Sequence, residues 1–447
     1  MALYHPSIHD TTAPPPSYWE ETAGSLRGDW PALEGDQACD VAIIGGGFTG
    51  LSAALHLARD HGIDVRVLEA GPIAWGASGR NGGFCLIGAT KLSIAAMVRQ
   101  YGLEETQRFY AAQQEGVDLV RDLCETEAID CDPCGDGAFA VAHTPHRFDE
   151  LRSEAEDLTR LFGISTRLYS RDAFREVGHE ATEQYGALHV GKGFALHPLK
   201  LALGIAQAAG RHGATLHGHS AVLDWTRDGA THVLHTAGGR LRARRVIVAT
   251  NGYWRDGLHG SLDGRTLPAL SNIIVTRPLT DEELARQSYR TLTPIHNTRT
   301  LLFYYRLLPD RRFLFGARGD TTGRPADGER MRAWMTRRLG EVFTAWRDVP
   351  VTHFWRGLVC VTRRFVPSIG CLDDDPSVWY GFGYHANGVN TAPWTGMRLA
   401  RAVAGEIDAA AIAPAVMRGL PARFPLPALR LWALRGAYLY YRLQDRR

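Results

Sequence analysis

Three glycines carry the first chemical signal of this chain: Gly45, Gly47 and Gly50 stand in the spacing G-x-G-x-x-G within residues 40–69. They follow an apolar run at residues 41–44 and open a helical one, in which Leu51, Ala54, Leu55 and Ala58 recur at helical spacing until Gly62 stops it. Gly45 makes the tight turn, Gly47 lets a pyrophosphate approach the backbone, and Gly50 lets the helix lie close on the strand. A helix that starts at Phe48 and Thr49 turns N–H groups and a positive dipole end toward phosphate. A second strand at residues 64–68 delivers Glu69, followed by Ala70, where a carboxylate accepts both ribose hydroxyls and repels a 2′-phosphate. The arrangement reads as a site for FAD or NAD rather than NADP.

Three further segments bear on the choice. Residues 76–83, G-A-S-G-R-N-G-G, place Ala77, Ser78, Asn81, Gly82 and Gly83 where backbone can touch a large planar ligand, with Arg80 adding charge. Residues 246–252 form a buried-type strand that ends in the polar turn Thr250, Asn251, Gly252. Residues 381–391 hold Gly383, His385, Asn387, Gly388, Val389, Asn390 and Thr391 in a glycine loop that opens a helix, with Thr391 as the expected cap and Pro393 in the first turn. A helix N-terminus there presents N–H groups to negative charge. Tyr304, Tyr305 and Arg306 alternate along a strand, so either Tyr304 and Arg306 or Tyr305 faces a cavity; aromatic walls suit a cationic amine.

Together with Trp355-Arg356-Gly357 and Pro367-Ser368-Ile369-Gly370, these segments resemble, over nearly the whole chain, the FAD-dependent D-amino-acid oxidase (DAO) superfamily. The branch is that of glycine oxidase and monomeric sarcosine oxidase, and the strongest likeness is to gamma-glutamylputrescine oxidoreductases and their L-pipecolate oxidase relatives. The resemblance implies an α/β fold in which a Rossmann-like FAD-binding domain is interrupted by a β-sheet-rich substrate domain. It implies FAD, with Gly45, Gly47, Gly50 and Glu69 on its ADP half, residues 78–83 beside the isoalloxazine and residues 383–391 at its pyrimidine edge. The implied reaction oxidises a C–N bond of an amine or amino acid to an imine by hydride transfer to flavin N5. O2 or another acceptor then takes the electrons, and His385, Tyr305 and Arg306 are the catalytic candidates.

The departures from the resemblance matter too. Val359 stands where sarcosine oxidase has its flavin-linking cysteine and Asn390 where it has a lysine, so the FAD is expected to be non-covalent. Carboxylate binding would fall to arginines such as Arg80 or Arg306. An extended amine like gamma-glutamylputrescine is therefore favoured over sarcosine or glycine. An L-pipecolate or other secondary amino-acid oxidase, and a flavin-binding subunit of a larger dehydrogenase complex, stay open; a nicotinamide dehydrogenase finds no support beyond the first motif.

The elements that must position these residues divide 447 residues into two domains. Residues 1–37 read as a Pro-rich tail laid over the surface. Residues 38–130, 191–266 and 352–447 are assigned to the FAD-binding domain, and 131–190 with 267–351 to the substrate domain. Lys plus Arg number 50 against 48 Asp plus Glu, a net of +2, which argues against a nucleic-acid partner. Seven scattered cysteines and a start without a signal-peptide pattern lead to a cytoplasmic expectation. The spacing Cys131-Asp-Pro-Cys134 is read as a loop and not a metal site, with no metal expected anywhere. Residues 429–447 combine Leu, Trp and Tyr with five arginines; packing across the FAD domain is favoured, and weak membrane association is the alternative.

Overall fold

The apolar run before the glycine turn belongs to a ten-residue strand, Gly35–Ile44, in the computed structural model, which describes residues 3–445. This strand pairs in parallel with Gly239–Val248 on one side and Val65–Leu68 on the other. Val378–Phe382 and Thr215–His217 extend the parallel run outward, giving a Rossmann-like sheet. Val41 and Ile43 enter one apolar cluster and Ala42 and Ile44 another, because a parallel sheet is covered on both faces. The helix Phe48–His61 lies against the sheet, ends at Gly62 with φ 60°, and is buried at every position from Phe48 to Ala58. It packs between the helices Gly388–Val403 and Pro198–Arg211.

A second eight-stranded sheet runs in the order Val351–Val361, Leu267–Thr276, Phe313–Arg318, Tyr304–Leu307, Ile295–Asn297, Ala138–Val141, Ala187–Val190 and Thr166–Tyr169. The chain is thus α/β, with the nucleotide sheet interrupted by a β-rich layer. The strand Val351–Val361 corrects the expected boundary at residue 352. It pairs along its length with Leu267–Thr276, so its bonding groups belong to the second sheet.

Residues 3–37 are not merely a tail laid over the surface. Leu33 and Trp19 are buried, Tyr18–Thr22 is helical, and the strand has begun by Gly35. Tyr4 and Ile8 pack with Leu431, Leu434 and Tyr438 of the C-terminal helix Arg430–Gln444. The opposite face of that helix leaves Trp432, Leu439, Tyr440 and Leu443 exposed. Arg446 and Arg447, two of the five arginines noted above, lie outside the described residues. Among those described, no helix is long and apolar enough to cross a membrane.

The contact between the helices Phe48–His61 and Gly388–Val403 depends on Gly396. A Cβ there would stand 2.3 Å from the Thr49 carbonyl oxygen and 2.8 Å from the Ala53 nitrogen, both backbone atoms. Gly396→Ala should gain about 1 kcal/mol of helix propensity yet lose more through overpacking, which typically costs about 1–3 kcal/mol. Net destabilisation in chemical unfolding is expected, and a more stable variant would contradict the packing argument.

Candidate functional site

One cavity of about 1110 Å³ runs from the glycine turn to the second sheet. At its nucleotide end Gly45 has φ +111°, and a Cβ on Gly50 would fall 2.0 Å from the Gly45 carbonyl oxygen. A Cβ on Gly47 would fall 2.8 Å from Ser78 Oγ, the atom that accepts the Phe48 N–H at 2.8 Å. Gly45, Gly47, Phe48, Thr49, Glu69 and Ala70 line the cavity; Gly50 serves from behind, by letting the helix close on the turn. Glu69 accepts the N–H groups of Gly46 at 2.7 Å and Gly71 at 3.2 Å. Burial raises its carboxyl and these bonds lower it, with burial the larger effect. The carboxylate, the open backbone and the helix end fit the ADP half of FAD.

The loop at residues 76–83 is held by two indoles: Trp355 Nε1 donates to the Arg80 carbonyl at 2.8 Å, and Trp19 Nε1 to the Asn81 carbonyl at 2.8 Å. Asn81 ties the loop to itself, donating to the carbonyls of Ala77 and Ser78 and accepting from Gly83 N at 2.7 Å. Ala77, Ser78, Arg80, Asn81 and Gly82 line the cavity. Arg80 donates to the carbonyls of Trp75 and Arg356 at 2.8 and 3.0 Å and lies over the Trp75 ring, so its guanidinium is already engaged. Gly83 has φ +75° and sits behind the lining, where a Cβ would meet the Leu196 carbonyl and Arg306 Nη2.

Thr250, Asn251 and Gly252 form the next stretch of wall. Asn251 Oδ1 accepts Gly383 N at 2.9 Å, and the Tyr384 hydroxyl meets Thr49 Oγ1 at 2.6 Å, so the polar turn, the 381–391 loop and the nucleotide helix are joined. His385 and Ala386 have φ of 52° and 77°, left-handed values that cost non-glycine residues about 1–2 kcal/mol each and cluster at functional loops. His385 lines the cavity; its Nε2 meets Thr362 Oγ1 at 3.3 Å, its Nδ1 is buried without a partner, and burial pushes the imidazole down to about 3.

Two expectations fail at the helix that follows. It starts at Gly388 after the cap position Asn387, three residues before Thr391, and Pro393 lies in its second turn. Asn387, Gly388 and Val389 line the cavity, whereas Asn390 and Thr391 turn away and bond Gln113 of the helix Leu103–Thr126. The amide at Asn390 therefore does not meet the cavity and does not select against small amino acids.

Strand alternation settles the Tyr304–Arg306 question. Registered neighbours Ile273, Gly316, Tyr304, His296 and Ala140 form one row across the second sheet, flanked by Ser271 with Arg318 and by Ala138 with Val190. Apart from Gly316, which the Tyr304 ring covers, all of these line the cavity. Tyr305 lies on the other face, bonded to His179 at 3.0 Å within an aromatic core, so it does not reach the site. Arg306 is buried behind Gly83 and donates to the Leu196 carbonyl at 2.6 Å, with Cys134 and the Trp19 ring beside it. The Cys131–Cys134 pair is split: Cys131 Sγ lies 3.4 Å from Cys124 Sγ instead.

Lys91 and Arg318, absent from the expected set, also line the cavity, and neither makes an ion pair among the described residues. Arg318 Nη1 is buried without a partner. Desolvation, with Arg318 adding like charge, pushes Lys91 down to about 8, and desolvation with Lys91 nearby pushes His296 down to about 4. A lone Lys in a loop or a lone Arg at a strand end has no periodicity that marks it.

A parallel sheet with a dinucleotide turn, opening across one cavity onto a β-rich layer, defines the two-layer class of FAD-dependent oxidoreductases. The chain belongs to the DAO family, FAD dependent oxidoreductase, which it matches over residues 40–402. It is 33% identical over 439 residues to gamma-glutamylputrescine oxidoreductase of Escherichia coli, covering 96% of this chain and 98% of that one. Glycine oxidase of Geobacillus kaustophilus is 26% identical over 84% of this chain and 95% of its own. In fold, the crystal structure of glycine oxidase from that organism superimposes with a TM-score of 0.68, at 22% identity, over 83% of this chain and 96% of the other. The protein is an FAD-dependent oxidoreductase.

Glu69→Ala should weaken FAD retention by about 1.5–3 kcal/mol, the scale of hydrogen bonds to a charged group. Equilibrium dialysis against apoprotein measures it, and unaltered affinity would remove Glu69 from the ribose site.

Proposed function

We propose that the enzyme oxidises a terminal C–N bond of an extended amine of the gamma-glutamylputrescine kind. The observation that carries this reading is the length of the cavity, which crosses the second sheet from Arg318 to Val190 and exceeds the needs of a two-carbon substrate. The likeness to gamma-glutamylputrescine oxidoreductase along nearly the full chain supports it. FAD, when bound, supplies the hydride acceptor at N5. Gly45, Gly47 and Glu69 would hold its ADP half, and the walls at residues 77–82 and 250–252 would border its ring. Lys91 and Arg318 place positive charge beside the His385 loop, which lowers the pKa of a nearby amine and favours its neutral form. No side chain then has to act as an obligatory base. His385 and His296 stay neutral and orient, while Tyr304, donating to or accepting from Ser271 at 2.9 Å, forms the aromatic floor. O2 or another acceptor completes the cycle.

A second reading, oxidation of an amino acid such as L-pipecolate, is favoured by the same two unpaired cations, which would grip a carboxylate next to the reacting carbon. Their pH dependence separates the two. A carboxylate held by Lys91 should bind more weakly as pH rises through about 8 and Lys91 loses its proton. A neutral amine should react faster over the same rise. Anaerobic flavin reduction by gamma-glutamylputrescine, pipecolate and sarcosine, followed from pH 6 to 10, is the test. A kcat/KM for sarcosine tenfold above the others, about 1.4 kcal/mol of transition-state binding, would overturn the extended-amine reading.

The FAD is proposed to be non-covalent. Val359 offers no sulfur, and burial pushes the Cys360 thiol up to about 12, leaving almost no thiolate for attack. Acid precipitation should release all the yellow colour into the supernatant; colour in the pellet would point to Cys360.

A further inference from the structure

The cavity has a second lobe whose chemistry the reaction does not use. Beyond the row of Tyr304 and His296, its walls are Ala138, Ala140 and Val190 of the second sheet, Tyr110 of the helix Leu103–Thr126, and Glu154 and Leu158 of the helix Pro145–Phe162. The other charges here are already paired. Lys192 holds Asp118 at 2.5 and 2.7 Å, and Glu150 is met by Arg147 at 2.5 Å and His146 at 3.3 Å. Glu154 makes no ion pair or hydrogen bond among the described residues. The surface it exposes lines the lobe, and neighbouring protein together with the like charge of Glu150 raises its carboxyl. Tyr110, stacked on Phe162 at 3.9 Å, stands beside it.

Glu154 is exposed, and a carboxylate with no cation that faces the lobe next to an aromatic ring can receive an ammonium group. From the strand of Arg318 to that of Ala138 is three strand steps, roughly 14 Å at ~4.8 Å each. The cavity therefore has a cationic pole at Lys91 and Arg318 and an anionic pole at Glu154. We propose that Glu154 binds a second cationic group of the substrate, distant from the carbon being oxidised, so that the enzyme selects diamines and their monoacylated, amino-acid-capped derivatives. This assignment rests on the amine-oxidising reading above.

The test uses the FAD-loaded enzyme and Glu154→Gln, with 1,7-diaminoheptane, n-heptylamine and gamma-glutamylputrescine as probes. Affinities come from anaerobic flavin reduction, and from calorimetry for any amine that binds without reducing. The parent should bind the two probes that carry a second ammonium group at least tenfold more tightly than the monoamine, and Glu154→Gln should bring that ratio close to one. Glu154→Asp, which keeps the charge, should restore part of it, with FAD content checking that each variant is folded. A parent with no preference, or a preference that survives in Glu154→Gln, overturns the proposal while leaving amine oxidation intact. An enzyme that neither binds nor is reduced by any of the three overturns the amine reading itself and this proposal with it.

Discussion

The helix Phe48–His61 can occupy its place only because backbones pass one another there with no side chain between them. Gly50 admits the Gly45 carbonyl oxygen, Gly45 admits the chain at Ala249, and Gly396 admits the carbonyl of Thr49. Close-packed interiors do not absorb such contacts by yielding. Everything around the cavity is referred to this helix. Thr49 anchors Tyr384, Phe48 N–H anchors Ser78, and Ser52 Oγ bonds the Pro393 carbonyl at 2.7 Å. The loops that border the cavity are thus fixed from below before any ligand is considered.

How much of this was legible in the sequence follows from the range of the interactions involved. The glycine turn, its helix and Glu69 lie within thirty residues and each residue type has a local reason to be where it is, so strand, helix and acid were readable together. The loop at 76–83 and the turn at 250–252 were readable as flexible or polar chain, though not the indoles of Trp19 and Trp355 that hold the first of them from far along the sequence. Alternation showed that only one face of the Tyr304–Leu307 strand could meet the cavity. Which face it was depends on pairing with Phe313–Arg318 and Ile295–Asn297, and no local pattern encodes that. Asn390 faces Gln113 and not the cavity; the helix begins at Gly388 and not near the expected cap Thr391, and a shift of three residues swings a side chain most of a turn around the axis. Lys91, Arg318 and Glu154 resemble isolated surface charges until the fold of three separate segments brings them to one cavity.

The segment before Gly35 has a larger part in the architecture than its composition suggests. Trp19 is 1% exposed; its N–H holds the Asn81 carbonyl of the cavity wall, and its ring packs on the Arg306 guanidinium behind that wall. The Pro-rich stretch is a strap that delivers this indole. It carries no extended periodicity because it spans other elements and forms only short ones of its own, such as the helix Tyr18–Thr22, with its prolines stiffening the path.

The order of strands in the nucleotide sheet bears on how the chain reaches this state. Gly35–Ile44 pairs with Gly239–Val248, and the next partner outward, Val378–Phe382, is later still. During synthesis, the first strand and its glycine turn leave the ribosome long before the strands that complete their sheet. Parallel pairing at such separation is slow and leaves apolar strand edges uncovered in the interval. A nucleotide that binds between the early turn and the late loops bridges both ends of this delay, so cofactor supply enters the yield of folded protein as well as its activity.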